Sequence, residues 1–293
     1  MTASTDYTAQ EMIVVAGARV LEDNKVVFVG TGLPMVASLL AKMTHAPGLI
    51  PVFEAGAVGP PLGVGLPLSV GDSKTFTGAS YLNGLNAAFE MTQRGYADIG
   101  FIGGAEVDMY GNLNSTMIGD FTNSYQKPTV RLPGSGGASD MAASCERTIL
   151  IVPHDKRKFS RKLQYVTSPG YLDGSPNARY NAGLQGKGPY RVITTKAILD
   201  FDEDTRRMRI LHTFPGETVD SIQAATGFEL LIAPNVSTFE PPTVEEIRMI
   251  REDIDPTQAF VKRPKKAKLY NINSSKVIID KSKLPPVSYS QKQ

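Results

Sequence analysis

The chain is poor in cysteine, with Cys145 alone among 293 residues. A single thiol can neither close an internal disulfide nor build a thiolate zinc site, so the composition fits a reducing compartment. Net charge is nearly absent as well: 31 basic residues stand against 29 acidic ones, a balance of +2. Dedicated nucleic-acid binders gather positive charge on one face, and this balance argues against that class. Long apolar runs are missing. Stretches such as 148–153 fall far short of the ~20 residues that cross a bilayer. The first ten residues are polar, with no basic cluster leading into an apolar segment, so no secretory signal is expected. His45, His154 and His212 lie far apart without ligand spacing, and no metal site is expected. The expectation is a soluble, cytoplasmic protein.

Apolar residues make up 41% of the chain, enough to bury a large core at a length that suits one large α/β domain. The 27 Gly and 20 Pro cluster between apolar runs, as tight loops on a regular scaffold do. Thr8-Ala9-Gln10-Glu11 is a capping box and predicts a helix reaching about Glu22. Lys25–Val29 reads as a buried strand, and Pro34 suits the first turn of a helix carrying Val36, Leu39, Leu40 and Met43 on one side. A second strand follows at Leu49–Phe53. This strand–helix–strand unit implies neighbouring parallel strands.

The alternation goes on. Helices are expected at Leu82–Arg94, Thr218–Thr226 and Thr243–Asp253, and strands at Ala97–Ile102 and Cys145–Val152. Val192–Phe201 and Met208–Phe214 should form a hairpin around 202–205. No internal repeat is present. The expected fold is an open, mostly parallel sheet with helices on both faces. The α/β domain should cover 1–255, with a Lys- and Pro-rich arm at 256–293.

Candidate chemistry gathers at strand ends. Gly30-Thr31-Gly32 follows a strand and opens a helix, but Met35 stands where a dinucleotide fingerprint needs its third glycine, and no Gly-Lys-Ser/Thr follows. What remains is a helix N-terminus whose amides attract negative charge. Glu54 follows the apolar strand and should enter the crevice at the carboxyl ends of the sheet, where α/β folds bind ligands. The bland alternative makes it a loop cap or an ion-pair partner. Gly103-Gly104 and the segment holding Gly134, Gly136 and Gly137 read as two more glycine-rich strand ends able to present amides to a thioester carbonyl or a pantetheine chain. The basic cluster Lys156, Arg157, Lys158, Arg161 and Lys162 reads first as a solvated face. Cys145, among apolar neighbours, reads as a core residue.

Ordered stretches along nearly the whole chain resemble the β (B) subunits of family I CoA-transferases, the glutaconate enzymes above all. They are VFVGTGLP (27–34), 53–56, FIGGAEVD (101–108), YGNLNSTMIGD (110–120), 134–138, VTSPG (166–170), ATGFEL (225–230) and REDIDPTQAF (251–260). The family places its catalytic glutamate in a Glu-Ser-Gly or Glu-Asn-Gly motif after the second strand; Glu54-Ala55-Gly56 occupies that place, with Ala55 departing from the pattern. The resemblance implies a covalent glutamyl-CoA thioester on Glu54. It also implies coenzyme A and a carboxylic acid, dicarboxylic by likeness, as substrates, no further cofactor, and an α (A) subunit in a hetero-oligomer. Glycine amides at 30–32 and 103–104 are the expected oxyanion donors. The other readings are an acyl-CoA or ring-cleaving hydrolase on the same fold, in which Glu54 activates water, and a non-catalytic CoA-binding subunit.

Overall fold

The computed structural model describes residues 2–61, 65–119 and 127–263. The chain divides into a compact unit, 1–262, and a second segment, 263–293, of which only Arg263 is described. The unit extends past the expected boundary at 255. The Asp255 carboxylate accepts the amides of Ala259, Phe260 and Val261, and Val261 is fully buried, so these residues close the domain instead of starting an arm. The rest of the expected arm, including the lysines to Lys268, lies outside the described residues.

The strands in chain order are β1 (Val26–Val29), β2 (Ile50–Val52), β3 (Ala57–Val58), β4 (Tyr81–Leu82) and β5 (Ile99–Gly103), then two small ribbons, β6 (Glu106–Val107) with β7 (Leu113–Asn114) and β8 (Met117–Ile118) with β9 (Val130–Arg131). β10 (Arg147–Ile151), β11 (Pro189–Ile193), β12 (Ala197–Phe201), β13 (Met208–Thr213) and β14 (Leu231–Thr238) complete the set. Ten of them form one open sheet in the order β14-β13-β12-β11-β10-β5-β1-β2-β3-β4. The central run from β11 through β10, β5 and β1 to β2 is parallel, and antiparallel pairs flank it on each side.

Alternation along the central strands divides the core. Val27, Val29, Phe101, Ile149 and Ile151 face one layer, packed by α1 (Ala9–Arg19), α2 (Leu33–Met43) and the C-terminal residues Ile250 and Ile254. Phe28, Ile102 and Leu150 face the other, under Ala88 of the helix Leu85–Gln93 and Met141 and Ala142 of the helix Ala138–Ser144. Buried strands with both faces covered read as unbroken apolar runs, which is what the sequence shows. Among the described residues no helix is long and apolar enough to cross a membrane.

The capping box at Thr8 forms as expected: Glu11 accepts the Thr8 amide and Thr8 Oγ1 accepts the Glu11 amide. The same Glu11, fully buried, also takes a two-pronged contact from Arg251 at 2.6 and 3.0 Å, which ties the first helix to the last. Glu11→Ala removes the buried carboxylate that joins Arg251 to the Thr8 amide, while Arg251 keeps Asp6 at 2.9 Å, so it should cost about 2 kcal/mol in urea unfolding. A change below about 1 kcal/mol would mean that Arg251 finds equal solvation elsewhere.

Three expectations need correction. Val192–Phe201 is not one strand: Thr194 Oγ1 accepts the Ala197 amide and donates to the Ala197 carbonyl, closing a turn that separates β11 from β12. The helix expected from Leu82 starts at Leu85, because Tyr81 and Leu82 pair with β3 as an edge strand. The segment 134–137 is not the end of a strand in the large sheet; it leaves the β8–β9 ribbon and opens the helix Ala138–Ser144.

Candidate active site

Strand register brings the candidate residues to one edge. β1 and β2 run parallel with Phe28 opposite Val52, which carries Gly30 and Glu54 out at the same end. Parallel β5 pairs with β1 through Val29 and Phe101 and with β10 through Gly103 and Ile151, so Gly103-Gly104 emerges there too. All are carboxyl ends of strands, where loops can converge on a ligand.

Glu54 sits in a tight turn between β2 and β3. The Phe53 amide donates to the Ala57 carbonyl, and the Gly56 amide returns to the Phe53 carbonyl at 2.8 Å. Gly56 has φ +105°, and a Cβ on it would lie 1.8 Å from the Asn83 carbonyl oxygen, so no other residue fits. The turn holds Glu54 half-buried, and its carboxylate makes no hydrogen bond or ion pair with any described residue. The cap and ion-pair readings therefore fail among the described residues. A Cβ built on Gly137 would stand 3.4 Å from the Glu54 carboxyl carbon and 2.4 Å from the Phe89 ring. Gly137 is thus the floor against which the Glu54 side chain lies, and Phe89 is in turn stacked on Phe28 at 5.5 Å. The sequence offered no signal for this contact, which crosses some eighty residues of chain.

The amides differ in what they can offer. Those of Thr31, Gly32, Gly136 and Gly137 meet no acceptor among the described residues, whereas the register of Gly103 opposite Ile151 directs the Gly104 amide to the β10 edge. The Gly134 amide donates to the Ser115 carbonyl at 2.8 Å and is spent on structure. Gly32 is the N-cap of α2, an eleven-residue helix whose positive end faces the same edge. Behind Gly104, the buried Asn114 donates to Glu106 Oε2 at 2.6 Å and to the Met117 carbonyl at 2.7 Å, which fixes the loop's exit. Burial raises the Asp108 carboxyl, although hydrogen bonds from Asn112 and Tyr110 oppose this.

The remaining candidates stand apart. Cys145 is buried against Gly100, and burial pushes its thiol up to about 12, so it is a core residue. His154 is held between Thr194 and Thr226, with burial lowering it to about 4. No group of three His, Cys, Asp or Glu among the described residues could hold a metal ion. Lys156, Arg157, Arg161 and Lys162 are exposed, and Arg157 pairs locally with Asp155.

The carboxyl edge of the parallel strands thus brings together a glutamate and backbone amides that meet no partner among the described residues, on an α/β scaffold. Residues 10–225 match the model of the coenzyme A transferases, and the chain belongs to that family. Over 92% of its length it is 41% identical to the B chain of glutaconate CoA-transferase from Acidaminococcus fermentans, covering all of that protein. Over 84% of its length it is 37% identical to the corresponding chain of 3-oxoadipate CoA-transferase from Pseudomonas knackmussii, covering 92% of it. The crystal structure of the Acidaminococcus glutaconate enzyme superposes with a TM-score of 0.82 at 38% identity, over 89% of this chain and 99% of that one. The fold expected from the sequence, an open and mostly parallel sheet with helices, is the fold of that enzyme.

Proposed function

We propose that this chain is the B half of a CoA-transferase that moves coenzyme A between an acyl-CoA and a carboxylic acid through a thioester on Glu54. The observation that carries this reading is the Glu54 carboxylate: anchored by a turn only glycine permits, laid against Gly137, and unpaired among the described residues. Glutamate side chains are anionic in neutral water, so such a nucleophile needs no general base.

The steps balance without an external energy source. A Glu54 oxygen attacks the thioester carbonyl, the carbon–sulfur bond breaks, and a mixed anhydride forms with CoA thiolate released. The thiolate attacks the Glu54 carbonyl carbon of that anhydride, the donor acid leaves as its carboxylate, and CoA is now bound to Glu54. An acceptor carboxylate reverses both steps. Each step passes through a tetrahedral oxyanion, for which the amides of Thr31, Gly32, Gly136 and Gly137 are the available donors.

Tyr81, Leu82 and Leu85 are each at least half exposed, and the Asn83 amide between them donates to the Gly56 carbonyl. An apolar patch thus borders the Glu54 turn. It fits the α (A) subunit that the relatives imply, which would complete the crevice. By likeness to the glutaconate and oxoadipate enzymes, the acid is dicarboxylic. The free and buried Cys145 suits a cytoplasmic setting. Co-purified with its α partner, the chain should transfer CoA from glutaryl-CoA or glutaconyl-CoA to acetate with conservation of thioester. Net loss of thioester without transfer would make it a hydrolase, and inertness would leave it a binding subunit.

A further inference from the structure

A cavity of about 770 Å³ opens on the sheet edge opposite Glu54. Strand direction places it: parallel β10 starts at Arg147 in the cavity wall and ends at Ile151 beside Gly103. Four strand steps, ~13 Å, separate those two residues. The start of β11 and the β12–β13 turn complete the wall.

Three guanidiniums line the cavity, those of Arg147, Arg191 and Arg206, and none meets a carboxylate among the described residues. Arg147 and Arg191 instead lie over the Tyr190 ring, at 4.8 and 3.8 Å from its centre, and Arg206 lies over Tyr171 at 5.4 Å. Elsewhere arginines close on carboxylates: Arg19 on Glu246, Arg251 on Glu11, Arg248 on Glu245. Even in this wall Arg209 holds Asp200 at 2.7 Å, and Arg179 is spent on the carbonyls of Gly170, Gly186 and Ala142. The wall therefore pairs its structural cations and leaves Arg147, Arg191 and Arg206 without a carboxylate, although Arg191 Nη1 donates to the Tyr190 carbonyl at 2.9 Å and Glu203 also lines the hollow.

Like charges gathered in a concave surface repel one another and focus a positive field outward. A guanidinium held over an aromatic ring still has N–H groups to offer an anion. Arg206 also occupies the left-handed region at φ +59°, which asparagine adopts more readily than arginine. The volume is that of a small-molecule site.

We propose that this cavity is a second ligand site that takes a small phosphate-bearing anion, with Arg147, Arg191 and Arg206 as its phosphate ligands. It does not depend on the chemistry assigned to Glu54. Two sources share that chemistry: free pyrophosphate, and nucleotides such as adenosine 3′,5′-bisphosphate, whose base the exposed Tyr180 ring in the wall can stack.

Calorimetric titration of the full chain purified with its α partner, first with pyrophosphate and then with the bisphosphate, tests this. Saturable binding is expected, weakening with added salt, and at least tenfold weaker in the double variant Arg147→Gln/Arg206→Asn. Asparagine tolerates φ +59°, so the melting temperature of Arg206→Asn should not fall, and CoA exchange without ligand should be unchanged in both variants. Tighter binding of the bisphosphate assigns the site to nucleotides, and equal binding assigns it to the phosphates alone. Absence of saturable binding, or equal binding by the double variant, overturns the proposal. So does loss of assembly with the α partner in that variant, which would mark the surface as a protein contact.

Discussion

Glu54→Gln should lower CoA exchange by about 10⁴-fold or more while leaving the fold intact. The amide keeps the size and shape of the side chain, and the carboxylate it replaces has no hydrogen bond or ion pair to lose among the described residues. What disappears is the anionic nucleophile, and with it the covalent route. Glu54→Asp separates position from charge. It withdraws the carboxylate by one methylene, ~1.5 Å, from where Gly137 now supports it. Exchange should collapse there as well, while slow thioester hydrolysis appears because a water fits the gap. Steady-state exchange and thioester loss, measured side by side, distinguish the two variants. Near-normal exchange by Glu54→Gln would leave Glu54 a structural residue.

Gly56→Ala is the second large effect, and it reaches stability and activity together. Gly56 has φ +105°, and the added methyl would stand 1.8 Å from the Asn83 carbonyl oxygen, which is backbone and cannot swing aside as a side chain would. The Gly56 carbonyl also accepts the Asn83 amide at 3.0 Å, so the clash and the hydrogen bond involve the same two strands. Backbone strain of this kind costs about 3 kcal/mol. The β2–β3 turn must shift by the order of 1 Å, and a nucleophile misplaced by that much loses about 100-fold in rate. Urea unfolding and exchange kinetics on one preparation read both consequences. An unchanged midpoint with an unchanged rate would show that the turn does not set the position of Glu54.

The central βαβ unit was legible because its signals are local. The run Val26–Val29, the helix opened by Gly32 and Pro34, and the strand before Glu54 each follow from composition within a few residues. Glu54 could be placed at the carboxyl edge for the same reason. β14 was not foreseen: Leu231–Thr238 contains Pro234 and Asn235 and is mostly exposed, so it lacks the alternation that marks a strand with one buried face. The turn at Thr194 falls on Thr194-Thr195-Lys196, which holds no glycine or proline to mark it, and one threonine hydroxyl closes it. The contact between Gly137 and Glu54 was invisible in principle, because it depends on how the β8–β9 ribbon returns to the sheet. Charge taught the same lesson in reverse. The conspicuous basic run at 156–162 is a solvated surface, whereas Arg147, Arg191 and Arg206, scattered along the chain, meet in one cavity.

The central claim is a covalent bond between CoA and Glu54, and mass spectrometry tests it most directly. The assembly with its α partner is incubated with acyl-CoA and no acceptor acid, then digested. The peptide carrying Glu54 should gain the mass of CoA less water. Borohydride should abolish that adduct and inactivate the enzyme only when acyl-CoA is present. An exchanging enzyme whose Glu54 peptide stays unmodified, and whose activity survives borohydride with acyl-CoA, would contradict the glutamyl thioester.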